Sequence, residues 1–196
     1  MCIRIFDICA SFFGIILLVP VFLIVALLIG FTSRGGVLFK QVRVGRNGKE
    51  FKIWKFRTMI AYAEDKGLQL SISGDCRITK VGKVLRKTKI DELPQLFNVL
   101  FGQMSLVGPR PEVPKYVALY NEEQKNVLLV RPGITDIASI KFRNENELLD
   151  KSEDTEKTYI EEIMPCKLKF NLEYITKIGL FFNIKLIFQT IFAIIK

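Results

Sequence analysis

Apolar residues form one long run near the N-terminus, from Ile8 to Phe31, which contains no charged residue. As a single helix it would reach roughly 36 Å, enough to span a bilayer. It is too long for the apolar region of a typical signal peptide and lacks a small-x-small cleavage site, so we expect it to be retained. The pattern predicts an N-terminal membrane segment over residues 1–34.

Pro20 lies in the middle of this run, where it removes a backbone hydrogen bond and kinks a helix. Basic residues flank the run on both sides, with Arg4 before it and Arg34 and Lys40 after it, so the positive-inside bias indicates no orientation. A helix that breaks and re-enters one leaflet would place both flanks on the cytoplasmic face. A kinked single span is the alternative, because proline is tolerated in membrane helices.

Two short alternating runs follow, over 37–44 and 51–56, and predict a pair of β-strands. The tetrapeptide Gly45-Arg46-Asn47-Gly48 between them has strong turn chemistry, so we expect a small β-hairpin. After a polar stretch over 63–74, basic residues recur at helical spacing and no acidic residue interrupts 77–90. A solvated helix face is the ordinary interpretation of such a stretch. Here the stretch would lie near a membrane and next to two carboxylates, which favours phosphate binding.

Asp91 and Glu92 directly follow the basic stretch, and Pro94 suits the first turn of a further helix with a cap at or near Asp91. A carboxylate at a helix start is most often a cap. Free amide groups at the same end also attract phosphate, and Asp91 would then be a nucleophile, since a carboxylate is ionised at neutral pH. The residues alone leave both interpretations open.

The last apolar run, over 178–195, places Lys185, Gln189 and Lys196 within about 40° of one another on a helix. A membrane span with Lys185 near its centre would be costly. We therefore expect an amphipathic helix over 178–196 that lies in the membrane interface, with packing against the N-terminal segment as a compatible alternative. The residues between, 35–177, are predicted to form a mostly helical α+β domain.

The overall charge narrows the choice of partner and of chemistry. The formal net charge is +9 and the pI is about 9.4, which favours phosphate-rich partners such as anionic lipid, a nucleotide or nucleic acid. Histidine is absent, which excludes His-based triads and His-ligated metal sites. The four cysteines form no C-x-x-C pair, so a zinc site or a disulfide framework is not expected.

Four blocks occur in order behind the apolar segment: Arg77-Ile-Thr-Lys-Val-Gly82, Leu85-Arg-Lys87, the DELPQLFNVL run of 91–100, and MSLVGPRPE over 104–112. Together they resemble the bacterial sugar transferase family, in its minimal monotopic phosphoglycosyl transferase form. The chain has Val19 where members often have Ser before this proline. It also has Gln103 where many have Asp, and Asp136 where many larger members have Gly.

The resemblance implies transfer of a sugar 1-phosphate from a UDP-sugar to polyprenyl (undecaprenyl) phosphate, the first membrane step of surface glycoconjugate synthesis. It implies Asp91 as the nucleophile that forms a covalent phosphosugar, Glu92 as its partner, and Mg²⁺ with Asp91 as its protein ligand. It also implies that 35–177 is a catalytic domain on the cytoplasmic face of the bacterial inner membrane. The candidate substrate-binding residues are Arg57, Arg77, Arg86, Pro109, Arg110, Pro111 and Glu112.

Two other functions fit parts of the pattern. A non-catalytic membrane adaptor would bind anionic lipid through the basic helix, and Asp91 and Glu92 would only cap a helix. A nucleic-acid-binding protein would explain the charge, but the membrane segments and the lack of a nucleic-acid motif argue against that partner. The sequence leaves open the sugar transferred, the pathway and whether the chain forms a homodimer.

Overall fold

The computed structural model describes residues 2–62, 75–143, 145–150, 152 and 154–195; the polar stretch 63–74 lies outside them. In this part of the chain the fold is α+β and mostly helical, as predicted. The helices are α1 Cys2–Thr32, α2 Lys80–Lys87, α3 Gln95–Leu100, α4 Pro114–Val117, α5 Ile137–Lys141, α6 Glu145–Asp150, α7 Thr155–Thr158, α8 Met164–Thr176 and α9 Leu180–Ile195. The strands are β1 Leu38–Val44, β2 Glu50–Phe56, β3 Ser105–Val107 and β4 Gly133–Thr135.

Helix α1 contains 31 residues and continues through Pro20 without an interruption of helical structure, so the predicted break is not present as a gap in the helix. Among the described helices it is the one long and apolar enough to cross a membrane, judged by length and composition. Four of its residues are buried, namely Asp7, Ser11, Val25 and Ile29. Most of the large apolar side chains between them remain exposed.

The predicted hairpin is confirmed. Strands β1 and β2 are antiparallel, with Leu38 opposite Phe56 and Val44 opposite Glu50. A short 3₁₀ turn joins them, and its residues Asn47 (φ 57°) and Gly48 (φ 72°) adopt left-handed backbone angles. Asparagine and glycine tolerate these angles best, which explains why this tetrapeptide forms the turn.

Strands β3 and β4 form a small parallel sheet, with Ser105 opposite Gly133 and Val107 opposite Thr135. The two backbone segments approach closely just beyond β3, where a Cβ on Gly133 would lie 2.1 Å from the Gly108 nitrogen. Only glycine fits this contact. The sheet therefore holds the start of the 108–112 loop against the segment that follows β4.

Three groups of apolar side chains hold these elements together. The C-terminal half of α1 packs Val25 and Ile29 against Phe56 of β2 and Leu85 of α2. Helix α3 and β2 share a second group that includes Ile53, Val99 and Met104. The third group, built on Tyr116, Tyr159 and Leu168, lies beneath α4 and α8.

The C-terminal apolar run forms α9, which confirms the predicted helix. Lys185 and Gln189 are exposed, whereas Leu186 packs beside Val107 of β3 and Tyr174 of α8. The hydroxyl groups of Thr190 and Thr135 are 2.6 Å apart, which joins α9 to β4. The helix therefore has a buried side on the parallel sheet and an exposed side that carries the polar stripe.

Candidate active site

Asp91 and Glu92 lie in a 3₁₀ turn, Ile90–Glu92, between α2 and α3, and both are buried, at 6% and 8% exposure. Lys89, just before the turn, has a left-handed backbone with φ 57°, which is uncommon for a residue other than glycine. Neither this turn nor α3 has a side-chain cap, and Pro94 immediately precedes α3. The prediction that Asp91 or a close neighbour caps the helix is therefore wrong, because the carboxyl group turns into the protein instead.

Glu92 is saturated by cations. Its Oε1 accepts from Lys55 Nζ at 2.9 Å and from Arg110 Nη2, and its Oε2 accepts from Arg110 Nη1 at 3.2 Å. Burial alone would raise the pKa of the carboxyl, but the charges of Arg110 and Lys55 hold the pKa of Glu92 well below its ordinary value. Glu92 is therefore an ionised anchor with both oxygens occupied.

Asp91 differs from its neighbour in having a vacant acceptor. Its Oδ1 is buried and has no hydrogen-bond partner among the described residues. Burial, followed by the charge of Glu92, raises the pKa of Asp91, while Lys55, Lys89 and Arg86 act in the opposite direction. A buried carboxylate oxygen without a partner is costly, and such sites are commonly functional.

Gln95 lies one helical turn beyond Asp91 and Glu92 and is 1% exposed, with its Nε2 also buried and unpartnered in the part of the chain that is described. Asn98, the next turn along, is fully used: its Nδ2 donates to Lys52 O at 2.8 Å and its Oδ1 accepts from Trp54 N at 3.0 Å. These two bonds fix β2 beside α3. Asn98 therefore positions the strand that carries Lys55, whereas Gln95 retains an unused buried donor.

The loop after β3 brings Arg110 to Glu92 and is held from two sides. The backbone N–H of Arg110 donates to Asp136 Oδ2 at 3.2 Å, and Pro109 and Pro111 restrict the backbone around it. Glu112, predicted to bind substrate, instead accepts from Arg43 Nη1 at 3.1 Å and from the Tyr159 hydroxyl at 2.6 Å. Its contacts hold the loop in place.

The other predicted arginines are dispersed. Arg86 donates from Nε to Thr58 Oγ1 at 2.9 Å, and its charge acts on Asp91. Arg77 forms a bidentate pair with Asp75, with Nη2 2.7 Å from Oδ2. Arg57 donates to Ser33 O at 2.9 Å and to Ser33 Oγ at 2.8 Å, at the C-terminal end of α1. Arg86 and Arg110 therefore act on the adjacent pair Asp91 and Glu92, which we call the dyad, while the described contacts of Arg57 anchor α1.

The sequence interpretation missed Lys55, Arg43, Gln95 and Tyr159. For Lys55 a signal was available, because alternate residues of a strand share a face and Lys55 shares one with the buried Ile53. A lysine on the buried face of a strand needs a charged partner. Tyr159, by contrast, reaches Glu112 from the start of a π-helical turn, Tyr159–Ile163, which no sequence period indicates.

The site therefore combines two adjacent buried carboxylates of different kinds: Glu92 is paired with Lys55 and Arg110, and Asp91 keeps an acceptor without a partner among the described residues. A sequence model described as bacterial sugar transferase matches residues 1–196, and the chain belongs to this family. The resemblance seen in the four sequence blocks is confirmed.

Several named proteins are similar to the chain. It is 40% identical over 193 residues to a UDP-glucose:undecaprenyl-phosphate glucose-1-phosphate transferase of Klebsiella pneumoniae, covering 96% of this chain and 39% of that protein. It is 39% identical to a UDP-N-acetylgalactosamine-undecaprenyl-phosphate N-acetylgalactosaminephosphotransferase of Aeromonas hydrophila, covering 96% and 42%. The exopolysaccharide production protein ExoY of Rhizobium meliloti is 35% identical, with 97% and 84% covered. The chain thus spans about two fifths of the first two relatives.

Proposed function

We propose that the chain transfers a sugar 1-phosphate from a UDP-sugar to undecaprenyl phosphate through a covalent phosphosugar on Asp91. The observation that carries the proposal is the contrast within the dyad: Glu92 is saturated by cations, whereas Asp91 keeps a buried oxygen without a partner. The names of the similar transferases support the two substrates.

In the first step an Asp91 carboxylate oxygen attacks the β-phosphorus of the UDP-sugar. A bond forms between that oxygen and phosphorus, and the bond from phosphorus to the bridging oxygen breaks. The bridging oxygen keeps the electron pair and leaves as part of UMP. No proton transfer to a base is required, because the nucleophile is a carboxylate and the leaving group is a phosphate.

In the second step an oxygen of undecaprenyl phosphate attacks the same phosphorus, and Asp91 leaves as a carboxylate. The product is the lipid diphosphate sugar, and the enzyme returns to its starting state. Splitting the transfer in this way lets one pocket bind two phosphorylated substrates in turn.

Glu92 acts in this scheme as an orienting residue. A carboxylate whose pKa is lowered by two cations is a poor proton acceptor, so its role is to hold Lys55 and Arg110 beside the nucleophile. The cations in turn stabilise charge on the transferred phosphoryl group. The unpartnered amide of Gln95 supplies a further donor to a phosphate oxygen.

Magnesium fits the donor set. Among the described residues no group of three or more Cys, Asp or Glu side chains is arranged to hold a metal. Asp91 Oδ1, a buried acceptor without a partner there, would be the protein ligand, and the diphosphate and water would supply the other oxygens. When bound, Mg²⁺ would offset the charge of the diphosphate and of the leaving UMP.

The same proposal places the chain on the cytoplasmic face of the bacterial inner membrane, anchored by α1 and α9. Both ends of α1 contact the catalytic domain: Arg4 and Asp7 reach α3 and β3, and the C-terminal end at Ser33 accepts from Arg57. If α1 crossed the membrane and the catalytic domain lay on one side, one end of the helix would be separated from that domain. Contacts at both ends support a helix that stays with one face, with its exposed apolar residues in lipid.

The decisive experiment compares wild type with Asp91→Asn in the same lipid. Asparagine preserves shape but is a poor nucleophile, so we expect UMP release to fall at least about a thousandfold with the protein folded. Wild type given UDP-glucose or UDP-N-acetylgalactosamine without lipid acceptor should retain labelled phosphosugar. The adaptor function predicts no UMP release, and comparable turnover by Asp91→Asn would disprove the covalent step.

A further inference from the structure

The turn of α1 from Arg4 to Asp7 contains two charged side chains that face the catalytic domain. Arg4 and Asp7 are three residues apart and therefore share a helix face. Asp7 is 2% exposed, although every residue from Ile8 to Phe31 is uncharged. A buried carboxylate in so apolar a helix is costly unless its oxygens are paired.

Arg4 binds the C-terminal end of α3, the helix that follows the dyad. Its guanidinium donates to Val99 O at 2.7 Å and to Leu100 O at 3.1 Å, which are C-terminal carbonyls of α3. Val99 O also accepts from the Gly102 N–H at 3.0 Å, so Arg4 adds to the C-terminal turn of α3, and a cation there also offsets the helix dipole.

Asp7 binds β3, the strand that precedes the loop carrying Arg110. Its Oδ2 accepts from the Ser105 hydroxyl at 2.7 Å, and its Oδ1 accepts from the backbone N–H of Leu106 at 3.2 Å. The neighbouring Ser105 N–H points the other way, to Pro132 O at 2.8 Å. Asp7 therefore satisfies the outer edge of β3, where a third strand would otherwise pair.

We propose that this turn of α1 is a positioning element, in which Arg4 and Asp7 together fix the separation between the backbone segment of the dyad and that of Arg110. Glu92 precedes α3 by three residues, and Arg110 follows β3 by three residues. The ion pair between Glu92 and Arg110 joins the same two backbone segments directly. The proposal rests on the proposed function and adds residues outside the reacting groups.

Asp7 variants separate hydrogen bonding from burial. Asp7→Leu removes both bonds and keeps the helix, so we expect the rate of phosphosugar formation to fall about 10- to 100-fold, the cost of a displacement near 1 Å. Asp7→Asn can accept from Leu106 N–H and donate to the Ser105 hydroxyl, so its rate should stay within about threefold of wild type. Ser105→Ala removes one bond and should be intermediate, about fivefold slower.

Ser11→Ala is the matched control, because Ser11 is buried one turn farther along α1 and its hydroxyl has no partner among the described residues. We expect it to match wild type. The double variant Asp7→Leu/Ser105→Ala should be no slower than Asp7→Leu, since the Ser105 bond is already lost. An Asp7→Asn variant as slow as Asp7→Leu would overturn the hydrogen-bonding role.

Hydrogen–deuterium exchange on the full chain in lipid nanodiscs gives a readout independent of activity. Asp7→Leu should speed exchange in peptides covering Leu106 and 108–112, while Ser11→Ala should not. If that change occurs but wild type releases no UMP, the proposed function fails and the positioning element stands. If wild type is active and Asp7→Leu matches Ser11→Ala in both rate and exchange, the positioning element is disproved.

Discussion

Asp91 and Glu92 are adjacent in sequence, but their surroundings move their pKa values in opposite directions. Both are desolvated by burial, yet Glu92 faces two cations at contact distance and Asp91 does not. Glu92 therefore stays charged across the physiological range. Asp91 loses its charge at a higher pH than an ordinary aspartate, so the nucleophile sets the acid limit of activity.

Lys55→Met should move that acid limit upward. Lys55 lowers the pKa of Asp91, so its removal raises this pKa further. The ionised form is the active one, and activity is lost as pH falls through the pKa. The acid limb of kcat/KM for UMP release should therefore shift to higher pH, as measured from about pH 5 to 8.

Lys52→Met tests whether the shift is specific. Lys52 lies on the same strand but is exposed. Its variant should keep the wild-type acid limb. An equal shift in both variants would mean that general charge, and not the Lys55 contact, governs Asp91.

Sequence reasoning located the dyad but could not assign the contacts around it. Asp91, Glu92 and Arg110 were identified from their motifs, and the structure brings Glu92 and Arg110 together. Glu112 lies in the same motif, yet its carboxylate faces Arg43 and Tyr159. Such partners are distant in sequence, and a motif does not record which side of a loop each side chain takes.

Among the elements, period and turn chemistry predicted the hairpin and four of the described helices, α1, α2, α3 and α9, but not the short helices α4 to α7, nor α8. The hairpin needed only strand alternation and a turn that tolerates left-handed angles at Asn47 and Gly48. The parallel pair β3–β4 was not predicted, because each strand has three residues, too short for a period to show, and its register depends on contact between Gly108 and Gly133.

Helix α2 illustrates how close packing positions a cation. A Cβ on Gly82 would lie 2.0 Å from Thr58 O, so Gly82→Ala must push α2 away from Thr58. Arg86 of α2 donates to the side chain of the same threonine, so its position should change as well. We expect a loss of about 1–3 kcal/mol in the free energy of unfolding, with reduced UMP release. Thermal melting of the detergent-solubilised protein measures the first effect.

Gly30→Ala is the matched control, because Gly30 is also helical and a Cβ there meets no atom within 4 Å. Alanine favours a helix interior, so this variant should melt at or above the wild-type temperature. Similar melting temperatures for the two variants would contradict the close packing of α2.

For the whole molecule, the proposed membrane topology predicts that both ends of α1 are accessible from one side. With Cys9, Cys76 and Cys166 replaced by serine, native Cys2 should react with an impermeant maleimide on the same side of sealed vesicles as a cysteine at Gly36. Both positions are exposed in the structure. Labelling of Cys2 from the opposite side would make α1 a span.

The anchor of α1 has a consequence for the order of events during synthesis. The partners of Asp7 lie 98 and 99 residues later in the chain, so about 5–20 s of translation separate them at about 5–20 residues per second. Until then Arg4 and Asp7 remain unsatisfied, and the cost of placing charge in hydrocarbon keeps this turn at the water boundary. The nascent helix can dock only when the strand that leads to Arg110 emerges, so anchoring and assembly of the active site are completed together.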